Sequence, residues 1–216
     1  MISKNITPSE LFNNSRYELI ETVSYDELKP FILRTIQKKS RLITFYSVLQ
    51  IIALTALAAL VVFFIFRSVS ARSIDEALLG LGASLIFSFT LLIPLHEAIH
   101  ALAFLLAGKR SIGFGADLKK FIFYAEAHRQ VVNQGEMTFV ALAPLFTIAL
   151  VSILPGIYFW NTPAVWFFAG IFLLHFLFCA GDMAMIAYFR QEDEILSFDD
   201  RNERRSYFFR VKNESN

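Results

Sequence analysis

The sequence predicts an all-α membrane protein of four transmembrane helices, with a short cytoplasmic loop that has the residues for a β-hairpin. Three observations carry this. Apolar residues fill 56% of the 216 positions and charged ones 18%, against about 45–50% and about 25% in ordinary soluble domains. Four apolar runs each exceed the ~20 helical residues that a bilayer core requires. All 20 Lys and Arg, and all but two of the 19 acids, lie outside those runs. With 24 Phe and a mean hydropathy of +0.51, there is more apolar surface than one small core could bury. A disordered tail, a disulfide scaffold and an ordinary soluble enzyme are excluded. A net charge of +1 gives no reason to expect nucleic acid, and the single cysteine, Cys179, cannot form an internal disulfide.

Taken in order, residues 1–41 read as a cytoplasmic N-terminal arm. The arm mixes acids and bases, and it has no apolar stretch of signal-peptide length. Within it, Tyr25–Arg41 sets Leu28, Phe31, Ile32 and Ile36 among Lys29, Arg34, Lys38 and Lys39. That suits either a short amphipathic segment at the membrane surface or a basic linker. Residues 42–189 form the membrane domain, with spans at 42–66, 77–107, 138–160 and 164–189. Residues 190–216 form a charged, solvated cytoplasmic tail, with one possible strand at Tyr207–Val211. The loop at 108–137 holds Gly113, Gly115 and the run Phe121–Ala125, which suits a hairpin. Arm, long loop and tail together carry 18 of the 20 basic residues, so the positive-inside rule places all three in the cytoplasm of a multi-pass cell-membrane protein. Tyr158, Trp160 and Trp166 read as an aromatic belt at the outer ends of spans three and four, and Tyr46 and Tyr188 as inner anchors.

Span two contains His96-Glu97-Ala98-Ile99-His100. Residues four apart on a helix share a face, so the two imidazoles can reach one ion at about 2.0–2.1 Å from each nitrogen. Glu97, next to the first of them, is placed to take a proton from water polarised by that ion. Ionisable side chains in hydrocarbon need a partner or a function, and three on one turn and a half are hard to explain as packing. A hydrolytic zinc needs a third protein ligand. The other acid inside the spans is Asp182. His100 lies nine residues before Lys109 and Asp182 eight before Arg190, so both sit roughly 12–14 Å from the cytoplasmic boundary. Glu192 and Glu194, just past span four, are rival third ligands. His175 and Cys179 share a face with Asp182, but His175 is about 10 Å further along a continuous helix. It reads as a residue lining or supporting the site, and Cys179 as packing. His128, in the loop, has no special role. Pro94 should kink span two, and Pro144 and Pro155 should interrupt span three.

The pattern resembles the intramembrane zinc proteases of the site-2 protease type, and more closely a bacterial family of zincin-like peptidases. It rests on the H-E-x-x-H within a span, a glycine-bearing cytoplasmic loop, Ala143-Pro144 and Gly181-Asp182, across roughly residues 80–200. Site-2 proteases carry Asn-Pro and Leu-Asp-Gly motifs where this chain has Ala143-Pro144 and Gly181-Asp182-Met183. The resemblance implies one Zn2+ per chain held by His96, His100 and Asp182. It also implies Glu97 as catalytic base and a membrane protein or peptide as substrate, cut in or near a transmembrane segment. Two alternatives from other classes stand beside this zinc metalloendopeptidase: a non-proteolytic metal-binding or transport protein, and an inactive protease-like scaffold. Oligomeric state is left open.

Overall fold

The computed structural model describes residues 6–38, 40–71, 74–119, 122–191 and 194–212. Among the described residues, four helical stretches are long and apolar enough to cross a membrane: Arg41–Phe63, Glu76–Leu106, Gln134–Tyr158 and Ala164–Phe189. They fall on the four runs expected from hydropathy. The all-α expectation fails, because six strands in two antiparallel sheets accompany the helices. The chain divides into two compact units. One comprises Met1–Ser40, Glu97–Ala143 and Gly181–Asn216, and the other Arg41–His96 and Pro144–Ala180.

The first unit holds all six strands: β1 (Tyr17–Ser24), β2 (Ile112–Asp117), β3 (Ile122–Ala127), β4 (Val132–Asn133), β5 (Ile195–Asp200) and β6 (Arg205–Val211). One sheet has the order β1-β6-β5-β4; the other is the β2–β3 hairpin, the hairpin expected of the long loop. The strand expected at Tyr207–Val211 is β6, and the tail around it is not solvated. β5 and β6 are the two central strands of the larger sheet, covered on both faces. On one face Leu196, Phe198, Tyr207, Phe209 and Val211 pack against Leu11 of helix α1 (Pro8–Asn13), with Phe12 edge-on to Phe198, Tyr207 and Phe209. On the other face Ile195 and Phe208 meet Phe31 of α2 (Leu28–Gln37), together with Tyr188 and Phe189. The amphipathic segment is thus a short helix laid on a sheet. The tail's charges cluster at the β5–β6 turn, which is why composition alone reads it as solvated.

The second unit contains α3 (Arg41–Ala71), α4 (Ile74–Phe87) and α7 (Ala164–Phe178), with the start of α5 (Ile93–Leu106) and the end of α6 (Gln134–Tyr158). α4 and α7 approach closely. A Cβ at Gly80 would stand 2.8 Å from Trp166 Cβ, and one at Gly170 would overlap the side chain of Ser84. Trp166 is consequently buried against α4 rather than placed in an aromatic belt, while Tyr158 and Trp160 are exposed. Tyr46 also turns inward and donates a hydrogen bond to the carbonyl of Phe176. In the first unit, buried Tyr188 donates to Glu21 at 2.7 Å.

The kink expected at Pro94 takes the form of a single π-helical turn, Ser88–Leu92, between α4 and α5. Proline has no N–H for the carbonyl four residues back, and its ring crowds that carbonyl. Widening the turn ahead of it relieves the crowding. Pro144 and Pro155 do not break span three; α6 runs through both.

Candidate metal centre

α5 ends at Leu106, and the chain turns away at Gly108, whose φ of +88° is a left-handed conformation that costs glycine little. Next to it, the Lys109 ammonium contacts Glu136 at 2.8 Å and the Val131 carbonyl at 2.6 Å. Glu136 also completes a capping box at the start of α6. Asn133 Oδ1 accepts from the Glu136 N–H at 2.9 Å, and the Glu136 carboxylate accepts from the Asn133 N–H at 3.1 Å. This cap starts the helix ahead of the apolar run, which hydropathy alone places at 138. A small core of Ala103, Phe104, Ala127, Val132 and Val140 then packs α5 against α6 within the first unit.

That packing fixes His100. Its Nδ1 donates to the carbonyl of Val140 at 3.0 Å, and its Nε2 stands 3.1 Å from Asp182 Oδ1 of α8 (Ala180–Phe189). The Val140 carbonyl is open to this bond for a local reason. Its helical donor would be the N–H of residue 144, and residue 144 is Pro144. His100 and Asp182 are nearly enclosed, with side chains 10% and 16% exposed. Glu97 is half-buried in the same unit.

An imidazole set between a carbonyl and a carboxylate faces acceptors on both sides. Either a proton lies between Nε2 and Asp182, carried by the imidazole or by the carboxyl, or a cation sits in its place. Zinc suits the second option by distance as well as by charge. Two N/O donors at about 2.0–2.1 Å from a tetrahedral zinc lie about 3.4 Å apart, and the observed separation is 3.1 Å.

His96 belongs to the second unit. There its Nδ1 lies 2.9 Å from His175 Nε2, and Cys179 Sγ lies 3.7 Å from each ring nitrogen of His175. The span assumed continuous is interrupted at Cys179, where α7 ends and α8 has not begun. The pairing of His175 with His96 was not foreseen from sequence, although the signal was there. His175 and Cys179 are spaced i, i+4, like His96 and His100.

Of the rival ligands, Glu192 lies outside the described residues. Glu194 is outside the sets of three or more ligand groups that come within reach of one another among the described residues. Its backbone carbonyl accepts from Val211 at 3.1 Å in the sheet. His128 accepts the Arg201 N–H at 3.1 Å, a structural role.

Residues 89–195 match a family model described as "Putative zincin peptidase". The matched stretch contains the whole H-E-x-x-H and Asp182, and it suggests a zinc metallopeptidase of the zincin kind. No curated protein and no solved structure matches the chain.

Proposed function

We propose that this protein is a membrane-embedded zinc metallopeptidase that hydrolyses a peptide bond in or near a transmembrane segment of its substrate. His96, His100 and Asp182 would hold the metal. The observation that carries the reading is the double-acceptor environment of His100, with the Val140 carbonyl at 3.0 Å on one side and Asp182 at 3.1 Å on the other. His96 lies one helical turn before His100 in the motif, so its ring shares the same face of α5. When bound, zinc supplies Lewis acidity, polarising the substrate carbonyl and lowering the pKa of water toward ~7.

The rest falls to the chain's own groups. The Val140 carbonyl fixes the His100 tautomer and leaves Nε2 as the ligand atom, as metal-bound histidines commonly require. The Asp182 carboxylate offsets the charge of the ion within the span, where an unbalanced charge is costly. The Glu97 carboxylate takes the proton of the attacking water and delivers it to the departing amide nitrogen, so one group serves as base and then as acid. Arm, loop and tail face the cytoplasm on this reading, in keeping with their basic residues, and the substrate is a membrane protein or membrane-adjacent peptide.

The test is Glu97→Gln in the full-length protein in its membrane. The variant should keep about one zinc per chain and lose at least the ~10²–10⁴ that general acid–base catalysis contributes. Comparing the membrane proteome with wild-type and Glu97→Gln protein would also reveal the substrate. Hydrolysis undiminished in that variant would remove the proposed mechanism, and zinc flux indifferent to it would favour a transporter.

A further inference from the structure

The second unit holds two soft-metal ligands that the peptidase reading does not use, His175 and Cys179, beside one that it does, His96. His175 and Cys179 are buried, 2% and 0% exposed. The former lies 2.9 Å from His96 Nδ1, and the latter is 3.7 Å from His175. One ligand atom from each of His96, His175 and Cys179 falls within 4.8 Å of the others. We propose that His96, His175 and Cys179 form a seat for a thiophilic divalent cation, distinct in chemistry from the nitrogen–oxygen site of the peptidase and in competition with it for His96.

Distances, donor type and local structure all support this. Around a tetrahedral ion with metal–nitrogen distances of about 2.0–2.1 Å and metal–sulfur of about 2.3 Å, nitrogens stand about 3.4 Å apart, and nitrogen and sulfur about 3.6 Å. The sulfur–nitrogen separation already fits. The two imidazoles, now at hydrogen-bond distance, need to open by about half an ångström. A set of two imidazoles and one thiolate is softer than two imidazoles and a carboxylate, so it favours a soft divalent ion such as cadmium over a hard cation. The i, i+4 spacing of His175 and Cys179 puts both on one face at the end of α7. The backbone leaves helical geometry at Cys179, with ψ of 5°, so the thiol sits at a helix terminus rather than in a continuous helical wall. Edge-on Phe87–Phe167 packing and the small Gly170 opposite Ser84 hold α7 close to α4, which leads through the π turn to His96.

Occupation has a proton balance. The cation takes the Nδ1 lone pair of His96, the ring proton moves to Nε2, and the thiol proton of Cys179 is released. With Nε2 protonated, His96 can no longer serve as a ligand of the peptidase site, so the two occupancies exclude each other. The exclusion rests on the proposed function; the seat itself does not.

Cys179 is the one cysteine in the sequence, so any metal–thiolate absorption reports this seat alone. Cadmium titration of the full-length protein in detergent should give a cadmium–thiolate charge-transfer band saturating at one ion per chain. Cys179→Ser should abolish the band and weaken cadmium binding by at least the ~10-fold that loss of an outer-shell partner already costs. The His100→Ala/Asp182→Ala double variant should keep the band. Its persistence there would separate this seat from the peptidase site whether or not the chain hydrolyses anything. Wild-type protein needs no variant to fold, and the absence of a thiolate band from it at saturating cadmium would overturn the proposal. So would a band that vanishes in the double variant while its helical signal is intact.

Discussion

His100 is held by two residues that lie far from it in sequence, Val140 and Asp182, and each contact fails in its own way. Asp182→Ala should lower bound zinc from one per chain to a small fraction, whereas Glu194→Ala should leave it unchanged; metal analysis of the purified proteins checks both. Pro144→Ala is more discriminating. It restores an N–H that competes for the Val140 carbonyl, while removing a helix-interior proline worth up to ~3 kcal/mol of helix stability. The variant should gain thermal stability and lose roughly 10–100-fold in zinc affinity, opposite signs that a generally damaged protein would not show. Outside the spans, Asp199 makes a pH prediction. Burial pushes its carboxyl up to about 6, against the pull of the Ser206 hydroxyl donating at 2.5 Å. The folded state therefore holds more protons than the unfolded one between the ordinary carboxyl range and pH 6. Stability contributed by this group falls as pH rises through that window, by on the order of 3 kcal/mol in full, and the loss is complete above it. Asp199→Asn should flatten denaturant stability between about pH 4 and 6, measured by circular dichroism.

Individual elements show where sequence is a good guide. The four spans were legible because each satisfies its own hydrogen bonds internally and announces itself by a continuous apolar run. The H-E-x-x-H and Asp182 stand out in the sequence because charge is so rare inside those runs, and the structure brings Asp182 to His100 at 3.1 Å. β1 and β5 were not legible. β1 carries Glu18 and Glu21 and pairs with a strand near the other end of the chain, and no local period encodes so distant a partner. β5 is a short run buried on both faces, which period-2 reasoning cannot separate from a helical fragment, whereas β6 (Arg205–Val211) falls on the strand expected at Tyr207–Val211. The capping box was written in Asn133 and Glu136 but was masked by the stronger hydropathy signal that follows it. Removing it with Asn133→Ala should cost about 1 kcal/mol and loosen the α5–α6 packing that aims His100. Slower binding and easier loss of zinc to a chelator would show this. At the α4–α7 crossing, Gly170→Leu should cost about 1–3 kcal/mol by overpacking against Ser84, read as a lower midpoint in denaturing detergent.

For the molecule as a whole, the pairing of β1 with β6 constrains everything between them. Tyr17 lies opposite Val211, and Ser24 opposite Arg205, so β1 and β6 must lie on one side of whatever the helices between them cross. That condition holds for an even number of crossings, the same arrangement that the distribution of basic residues requires. Protease cleavage sites added before Pro8 and after Lys212 should therefore be cut from the same face of sealed vesicles and protected from the other. The same pairing also dictates an order of assembly. β1 leaves the ribosome some 180 residues before its partner β6, and at roughly 5–20 residues per second the interval is roughly 10–40 s. Throughout that time the nascent arm presents a bare strand edge while the four long apolar helices are made, and it is completed only once β6 follows them. A chain stalled just short of β6 should hold its helices in the membrane and yet lose its arm to a protease, a failure of timing rather than of insertion.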